Sequence, residues 1–478
     1  MHSLLTSTTS FLSAGILLAA AVSLSETTLA SDLEPSMFND LARSDAGDSE
    51  PTRIELLERE NAILKARMTE IEAALHATAK DDERFDKLEA ENLELKRRID
   101  AVAGELERFS FGSIAPPVGD SQYGLGPAAS KVYGQESGLS IGGYGELIYQ
   151  NYAGSSKSDT FDLQRAIMYL GYKFDEKWVF NSEIEWEHAS TSESGSVSVE
   201  FAYLDYLNSP ELNFRVGLVL IPMGFINELH EPTTFLSANR PMTERLIIPS
   251  TWRENGVGVF GGVGDISYRT YVVSGLDAAG FTAGGLRGGR QKGSKALTED
   301  FAWVGRLDYT PKPGVTFGAS AYYGDSGQDQ TLAGGTLGDT STMIYEAHAE
   351  IRTRGFHFRA LGAMANLNDV RELNNALGLA GTDSVGNELE GYYGELGFDV
   401  LTLLDEGSEQ SLTPFVRYEA YDTQASVPRG FASSPTRDDE LVTFGINWKP
   451  ISQIVFKLDF ADADQGLDQW NAAVGYVF

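Results

Sequence analysis

From Leu139 onward, apolar side chains recur at every second position in runs of about ten residues separated by turn chemistry. In the first run Leu139, Ile141, Leu147 and Tyr149 share one face, and Glu146 and Gln150 the other. Ala166, Met168, Leu170, Tyr172 and Phe174 form one face of the second run. In the third, Trp178, Phe180, Ile184 and Trp186 oppose Asn181, Glu183, Glu185 and Glu187. The run at the end of the sequence sets Trp470, Val474, Tyr476 and Phe478 against Asn471, Ala473 and Gly475. A period of two is that of a strand whose faces meet different surroundings. Further runs begin near Ser196, Glu211, Glu254, Asp265, Asp300, Gly314, Ser341, Gly355, Leu389, Ser411, Glu440, Ser452 and Asp468, about sixteen strands in all. An even number of antiparallel strands closes into a barrel, the last beside the first.

Short connections (175–176, 208–210, 264, 311–313, 353–354 and 449–450) alternate with long ones (around 222–253, 275–299, 324–340, 367–388 and 422–438). Short turns at one end and long loops at the other mark a transmembrane barrel. One face of each strand carries charge: seven basic residues (Arg165, Arg215, Arg269, Arg306, Arg359, Arg417, Lys457) and twelve acidic ones (Glu146, Glu183, Glu185, Glu187, Glu200, Asp308, Glu346, Glu350, Glu395, Asp399, Glu419, Asp459). A cylinder of this size leaves room for an aqueous channel.

The pattern differs before residue 139. Phe11–Leu24 is apolar and is followed by a small residue, Ala30, so residues 1–30 are expected to be a signal peptide. Residues 31–52 form an acidic, flexible segment. Over 53–109 the period becomes seven: Ile54, Asn61, Met68 and Leu75 at one core position, Leu57, Leu64, Ile71 and Thr78 at the other. The register slips near 80–84, then Leu88, Leu95, Val102 and Phe109 pair with Asn92, Ile99 and Leu106. This predicts a self-associating coiled coil, about 80 Å long if continuous. Residues 110–138, with Pro116-Pro117 and many Gly and Ser, read as a linker to the barrel at 139–478.

Composition narrows the function classes. The 478 residues carry no cysteine, 50 glycines and a formal net charge of -32. That charge opposes nucleic acid, and the cysteine count removes disulfides and thiol chemistry. A mean hydropathy of -0.21 excludes a bundle of membrane helices but not a barrel.

The longest connection, Pro222 to Arg253, is the candidate constriction; its charges are Glu228, Glu231, Arg240, Glu244, Arg245 and Arg253. Arg165, Glu183, Glu185, Arg215, Arg269, Arg306 and Arg417 are the candidate pore-lining residues. Gly256, Gly258 and Gly261 match G-x-G-x-x-G without a strand-to-helix context, so strand glycines are the simpler reading. Gly284–Lys295 is basic, with Arg287, Arg290, Lys292 and Lys295, and fits an external loop. Glu183, Glu185 and Glu187 share one face, read here as a solvated channel wall rather than a cation site. His348 and His357 have no catalytic partner in the sequence; no enzyme activity, metal or cofactor is expected.

The run RVGLVLIPMGFINE (Arg215–Glu228), PMTERL (Pro241–Leu246) and RENGVGVFGG (Arg253–Gly262) resembles the phosphate-selective porin O and P family, which has G-x-x-x-x-P-x-G, hydrophobic-x-E-R and G-V-x-x-x-G in this order. YGELIYQNY (Tyr144–Tyr152) and the terminal aromatic agree, so the resemblance spans about 139–478. The helical region resembles the periplasmic extensions of certain members. The resemblance implies a sixteen-stranded, homotrimeric outer-membrane porin for small hydrophilic solutes or ions, often anions, in a Gram-negative bacterium. The expected partners are the outer-membrane bilayer, small solutes and the assembly machinery reached through the Phe478 strand, with the coiled coil in the periplasm. The acidic excess on the wall leaves anion against cation open. A structural envelope protein, with the barrel as anchor and the coiled coil as periplasmic tether, is the alternative.

Overall fold

The computed structural model describes residues 53–77, 90–103, 118–192, 194–405 and 408–478. The expected signal peptide and acidic segment (1–52), the register slip near 80–84 and residues 110–117 of the linker lie outside the described residues. The chain divides into two units, a helical one and a barrel.

In the barrel unit sixteen strands close into one cylinder: β1 Gly138–Tyr152, β2 Thr160–Lys173, β3 Trp178–Glu187, β4 Val197–Ser209, β5 Leu212–Leu220, β6 Arg253–Val263, β7 Ile266–Ser274, β8 Phe301–Lys312 and β9 Val315–Gly324, then β12 Thr342–Thr353, β13 Phe356–Leu367, β14 Glu388–Phe398, β15 Ser411–Ser426, β16 Asp438–Ile451, β17 Ile454–Ala463 and β18 Gln469–Val477. A small hairpin, β10 Thr331–Leu332 with β11 Gly335–Thr336, decorates the β9–β12 connection. Every barrel strand pairs antiparallel with its neighbours in the chain, and β18 closes on β1 with Tyr144 opposite Val477 and Tyr152 opposite Gln469. Beyond that ladder, Gly143 and Phe478 exchange backbone hydrogen bonds of 2.9 and 3.0 Å. Phe478 therefore stands at the seam, as the alternation predicts.

The alternation also assigns the faces. In β16 Val442, Phe444, Ile446 and Trp448 point outward and are exposed, while Asp439, Thr443 and Asn447 are buried inside. At the short-turn end Arg354 and Gly355 both have positive φ (46° and 82°), the twist that suits a tight hairpin. In another short turn the Asp175 carboxylate accepts the N–H groups of Lys177 (2.8 Å) and Trp178 (2.7 Å). Gly258 belongs to β6, and a Cβ there would stand 2.1 Å from the Thr270 carbonyl oxygen, which accounts for the glycine without a nucleotide loop.

Two expectations about the first half of the chain are corrected. Residues 118–135, expected within a linker, fold into the barrel interior: Leu125, Ala128, Ala129, Val132 and Tyr133 are buried in the main core cluster. Several small or apolar side chains among the glycines give this segment enough buried surface to order it. In the helical unit, Arg53–Ala77 and 90–103 are helices, but they do not form one rod. Arg67 pairs with Glu91 at 3.4 Å and Arg98 with Glu60 at 3.1 Å, so the later residue of one helix meets the earlier residue of the other. The two run antiparallel, and Leu64, Ile71, Leu95 and Val102 of the predicted seam bury one another within a single chain. The seam is thus covered by folding back, and a 25-residue helix reaches about 38 Å, half the expected span.

Candidate functional site

The barrel interior holds three parties: the wall, the inward loop from Ile221 to Trp252, and the plug at 118–135. The loop enters because its apolar residues find cover only inside. Ile221, Met223, Phe225, Ile226, Phe235, Ile247, Ile248 and Trp252 are all buried. One side chain pinches its two ends together. The Asn227 amide donates to the carbonyls of Ile221 (2.7 Å) and Trp252 (2.8 Å), and its oxygen accepts the Trp252 N–H at 2.7 Å. No pattern in the sequence distinguishes this asparagine from others.

Beyond the pinch the loop crosses the lumen and is tied to the opposite wall. The Ala238 N–H donates to Asp459 at 2.6 Å, and the Met242 N–H to Glu419 at 2.6 Å. Lys457 donates to the Ser237 carbonyl (2.9 Å), Asn447 to that of Leu236 (2.9 Å) and Lys449 to that of Thr233 (2.7 Å). Arg417 donates to the Ser237 hydroxyl, and Arg306 to the Gly224 carbonyl. Buried wall charges thus satisfy loop backbone that would otherwise be unpaired away from water.

Most of the predicted constriction charges have structural partners. Glu228 pairs with Arg269 at 3.2 Å. Glu231 accepts the N–H groups of Ala128 (3.0 Å) and Ala129 (3.1 Å), joining loop to plug. Burial pushes the Glu231 carboxyl up to about 8, opposed by those two donors. Glu244 accepts the Ile226 N–H (2.7 Å) and the Tyr393 hydroxyl (2.6 Å). Arg253, at the start of β6, pairs with Glu200 at 2.5 Å. Arg240, half-buried, and Arg245, exposed, line a cavity at the long-loop end.

The seven predicted pore-lining residues all lie on the inner wall and are buried. Arg165 stands between Glu146 (3.4 Å) and Glu185 (3.9 Å), and Arg215 pairs with Asp205 at 2.8 Å. Tyr133 of the plug donates to that same Asp205 at 2.6 Å. Arg269 and Arg306 pair with Asp308 at 2.7 and 2.8 Å. Arg417 lies 3.3 Å from Glu419 and 3.7 Å from Glu395. Glu183 meets His230 of the loop at 3.1 Å. Their place on the inner face is as expected, but they meet packed loop and plug. The reading of Glu183 as solvated wall is corrected, since it is 0% exposed.

The basic segment 284–295 is also packed. Arg287 donates to the Ser250 carbonyl (2.6 Å) and hydroxyl (2.7 Å), and Arg290 to the carbonyls of Ser250 (2.5 Å) and Thr251 (2.9 Å). These arginines hold the return of the inward loop. His348 bridges Asp308 (2.9 Å) and Glu346 (2.8 Å), and His357 meets Glu350 at 3.2 Å.

Two cavities remain along the β12–β18 side. One, of about 220 Å³ at the long-loop end, is lined by Lys157, Arg240, Arg245, Arg417, Glu419 and Asp459 among others. The second, of about 330 Å³ at the short-turn end, is lined by Arg352, Arg354, His357 and Lys449 with Thr233–Leu236. Ser237 and Asn239 of the same loop line the first, so one stretch of chain borders both. The plug and Asn227 were missed by sequence reasoning. For the plug a signal existed, the small apolar cluster between Leu125 and Tyr133. Glu183, Glu200 and His230 offer donor atoms within 4.8 Å of one another, a grouping across two strands and a loop that spacing alone does not reveal.

No family model matches the sequence. Among solved structures, OmpF of Salmonella typhi in complex with daunomycin is similar with a TM-score of 0.47 at 13% identity, covering 72% of this chain and 98% of that one. The trimer form of OmpT, an outer membrane protein of Vibrio cholerae, gives 0.46 at 10%, covering 72% and 100%. A protein of Aquifex aeolicus (strain VF5), described only as uncharacterized, is 40% identical over 370 residues, covering 74% of this chain and 83% of that protein. The chain belongs to the same family as that Aquifex aeolicus protein.

Proposed function

We propose that this protein is an outer-membrane channel for small hydrophilic solutes, with a preference for anions. The observation that carries the membrane part is the outer face. Phe317, Tyr323, Tyr345, Phe358, Tyr392, Leu396, Val416, Phe444, Ile446, Phe456 and Leu458 all stand exposed there, on successive strands. Each such side chain is worth about 1.5–3 kcal/mol when removed from water, and a monomer in water does not leave a belt of them wet. Lipid covers them without rearrangement.

The preference for anions follows from which charges remain available. The inner wall as a whole is acidic, but most of its carboxylates pair with arginines or histidines or accept loop N–H groups. With Arg352 paired to Glu350, Arg417 to Glu419 and Asp459 accepting from Ala238 and Asn471, the two cavities keep Lys157, Arg240, Arg245, Arg354 and Lys449. A basic lining concentrates anions. Passage runs along the loop segment 233–239, which borders both cavities and is the constriction. A homotrimer, assembly through the Phe478 strand, and the porin O and P resemblance belong to the same reading. Reconstitution into a planar bilayer under a salt gradient tests it. Discrete channels with an anion-selective reversal potential are expected; no channels at all, or a cation-selective potential, would overturn the corresponding part.

A further inference from the structure

The geometry points to a transition-metal site at the joint between inward loop and wall, with Glu183 of β3, Glu200 of β4 and His230 of the loop as ligands for a divalent cation such as Zn²⁺. All three are buried, and one donor atom from each lies within 4.8 Å of the others.

The hydrogen bonds of His230 carry the argument. Its Nδ1 lies 3.0 Å from the Asn227 carbonyl oxygen, which can only accept, so Nδ1 carries the hydrogen. With the ring neutral, the other nitrogen presents its lone pair to Glu183 Oε1 at 3.1 Å, where either a proton or a metal ion must lie between the two acceptors. A metal-binding histidine has this arrangement, one N–H fixed on a backbone carbonyl and the opposite nitrogen free to ligate. Two ligands about 2.1 Å from one ion stand about 3–3.4 Å apart, so the pair needs little adjustment to share one.

A second, independent observation points the same way. Glu183 is 0% exposed, and its Oε2 has no hydrogen-bond partner among the described residues. A carboxylate oxygen in that condition costs about 1–3 kcal/mol or more unless something binds it. Two of the nearby cations are engaged elsewhere: Arg165 lies beside Glu146 and Glu185, and Arg253 holds Glu200.

The donor set selects the ion. Ca²⁺ takes six to eight oxygens and Mg²⁺ keeps most of its water, neither of which suits a dry pocket with an imidazole. One nitrogen and two carboxylates suit Zn²⁺ and its first-row neighbours. Such an ion would clip His230 to two wall strands and hold the constriction loop in place. The site does not depend on whether the barrel conducts.

The test uses the full chain folded in detergent, dialysed against a chelator and titrated with Zn²⁺, with bound metal measured by elemental analysis. One ion per chain and a raised Tm are expected. Co²⁺ in its place should show the visible bands of a low-coordinate site, and X-ray absorption should place an imidazole nitrogen in the shell. Glu183→Gln and His230→Gln should each weaken binding at least tenfold. Stoichiometry far below one, which a proton shared between Glu183 and His230 would produce, overturns the proposal. So does an all-oxygen shell in the unaltered protein, or unchanged affinity in both variants.

Discussion

Glu231 and Ala128 lie 103 positions apart, yet the Glu231 carboxylate accepts the Ala128 N–H at 3.0 Å and that of Ala129 at 3.1 Å. The inward loop and the plug are therefore one body inside the barrel. Glu231→Ala leaves two buried N–H groups unpaired, at about 1–3 kcal/mol each. Hydrogen exchange over 118–135 should rise by one to two orders of magnitude, and bilayer recordings should become noisier. Unchanged exchange there would mean that the plug is held by its wall contacts instead, such as Tyr133 on Asp205 and Asn181 on the Ala129 carbonyl.

Among the three loop arginines, only two face an open cavity. Arg240→Gln with Arg245→Gln is expected to shift the reversal potential toward cations while the barrel folds normally. Arg253→Gln should behave differently, because it strands the buried Glu200 now held at 2.5 Å. Breaking such a pair costs about 3–5 kcal/mol. Folded yield, read by heat-modifiable mobility on a gel, separates the two cases.

The helical unit makes its own prediction. Leu95 is buried between the two helices, and Leu95→Ala should destabilise their pairing by about 2–5 kcal/mol. In the full chain, hydrogen exchange over 60–77 and 90–103 should accelerate together while the strands stay protected. Protection lost in only one helix would contradict the antiparallel pairing.

The Asp175 turn gives a pH dependence. The N–H of Trp178, then that of Lys177, holds this carboxyl below the usual carboxylate range. A carboxyl lowered in the folded state contributes stability above its unfolded value of about 3.9, and loses it as pH falls through the folded value. Asp175→Ala should lower Tm slightly at pH 7 and by less at pH 3. An equal effect at both pH values would show that the charge is irrelevant to the turn.

Much of the barrel was legible because the period-two pattern repeats on every strand. Period-two alternation placed Arg165, Glu183, Arg215 and Arg417 on the inner face from the chain alone. It could not say what they meet there, since Arg215 finds Asp205 by strand pairing but Tyr133 only through the fold of a remote segment. The heptads located Leu64, Ile71, Leu95 and Val102 correctly as a seam. A seam is equally satisfied by another chain or by the same chain folded back. His230 escaped notice because its partners, Glu183 and Glu200, come from two other elements.

The strands that meet last touch the contents of the lumen. Pro232 packs where a side chain at Gly475 of β18 would stand, Asp459 of β17 holds Ala238, and the Ala128 carbonyl lies against Gly142 of β1. A cylinder that shut without the loop would leave Lys457 without its Ser237 carbonyl, at about 1–3 kcal/mol, and Asp459 and Glu419 with only their wall partners Asn471 and Arg417. Shutting the seam and filling the lumen are therefore a single cooperative event. The slow step of refolding should be threading the loop, and variants that weaken its wall contacts should delay closure even where every strand pairs normally.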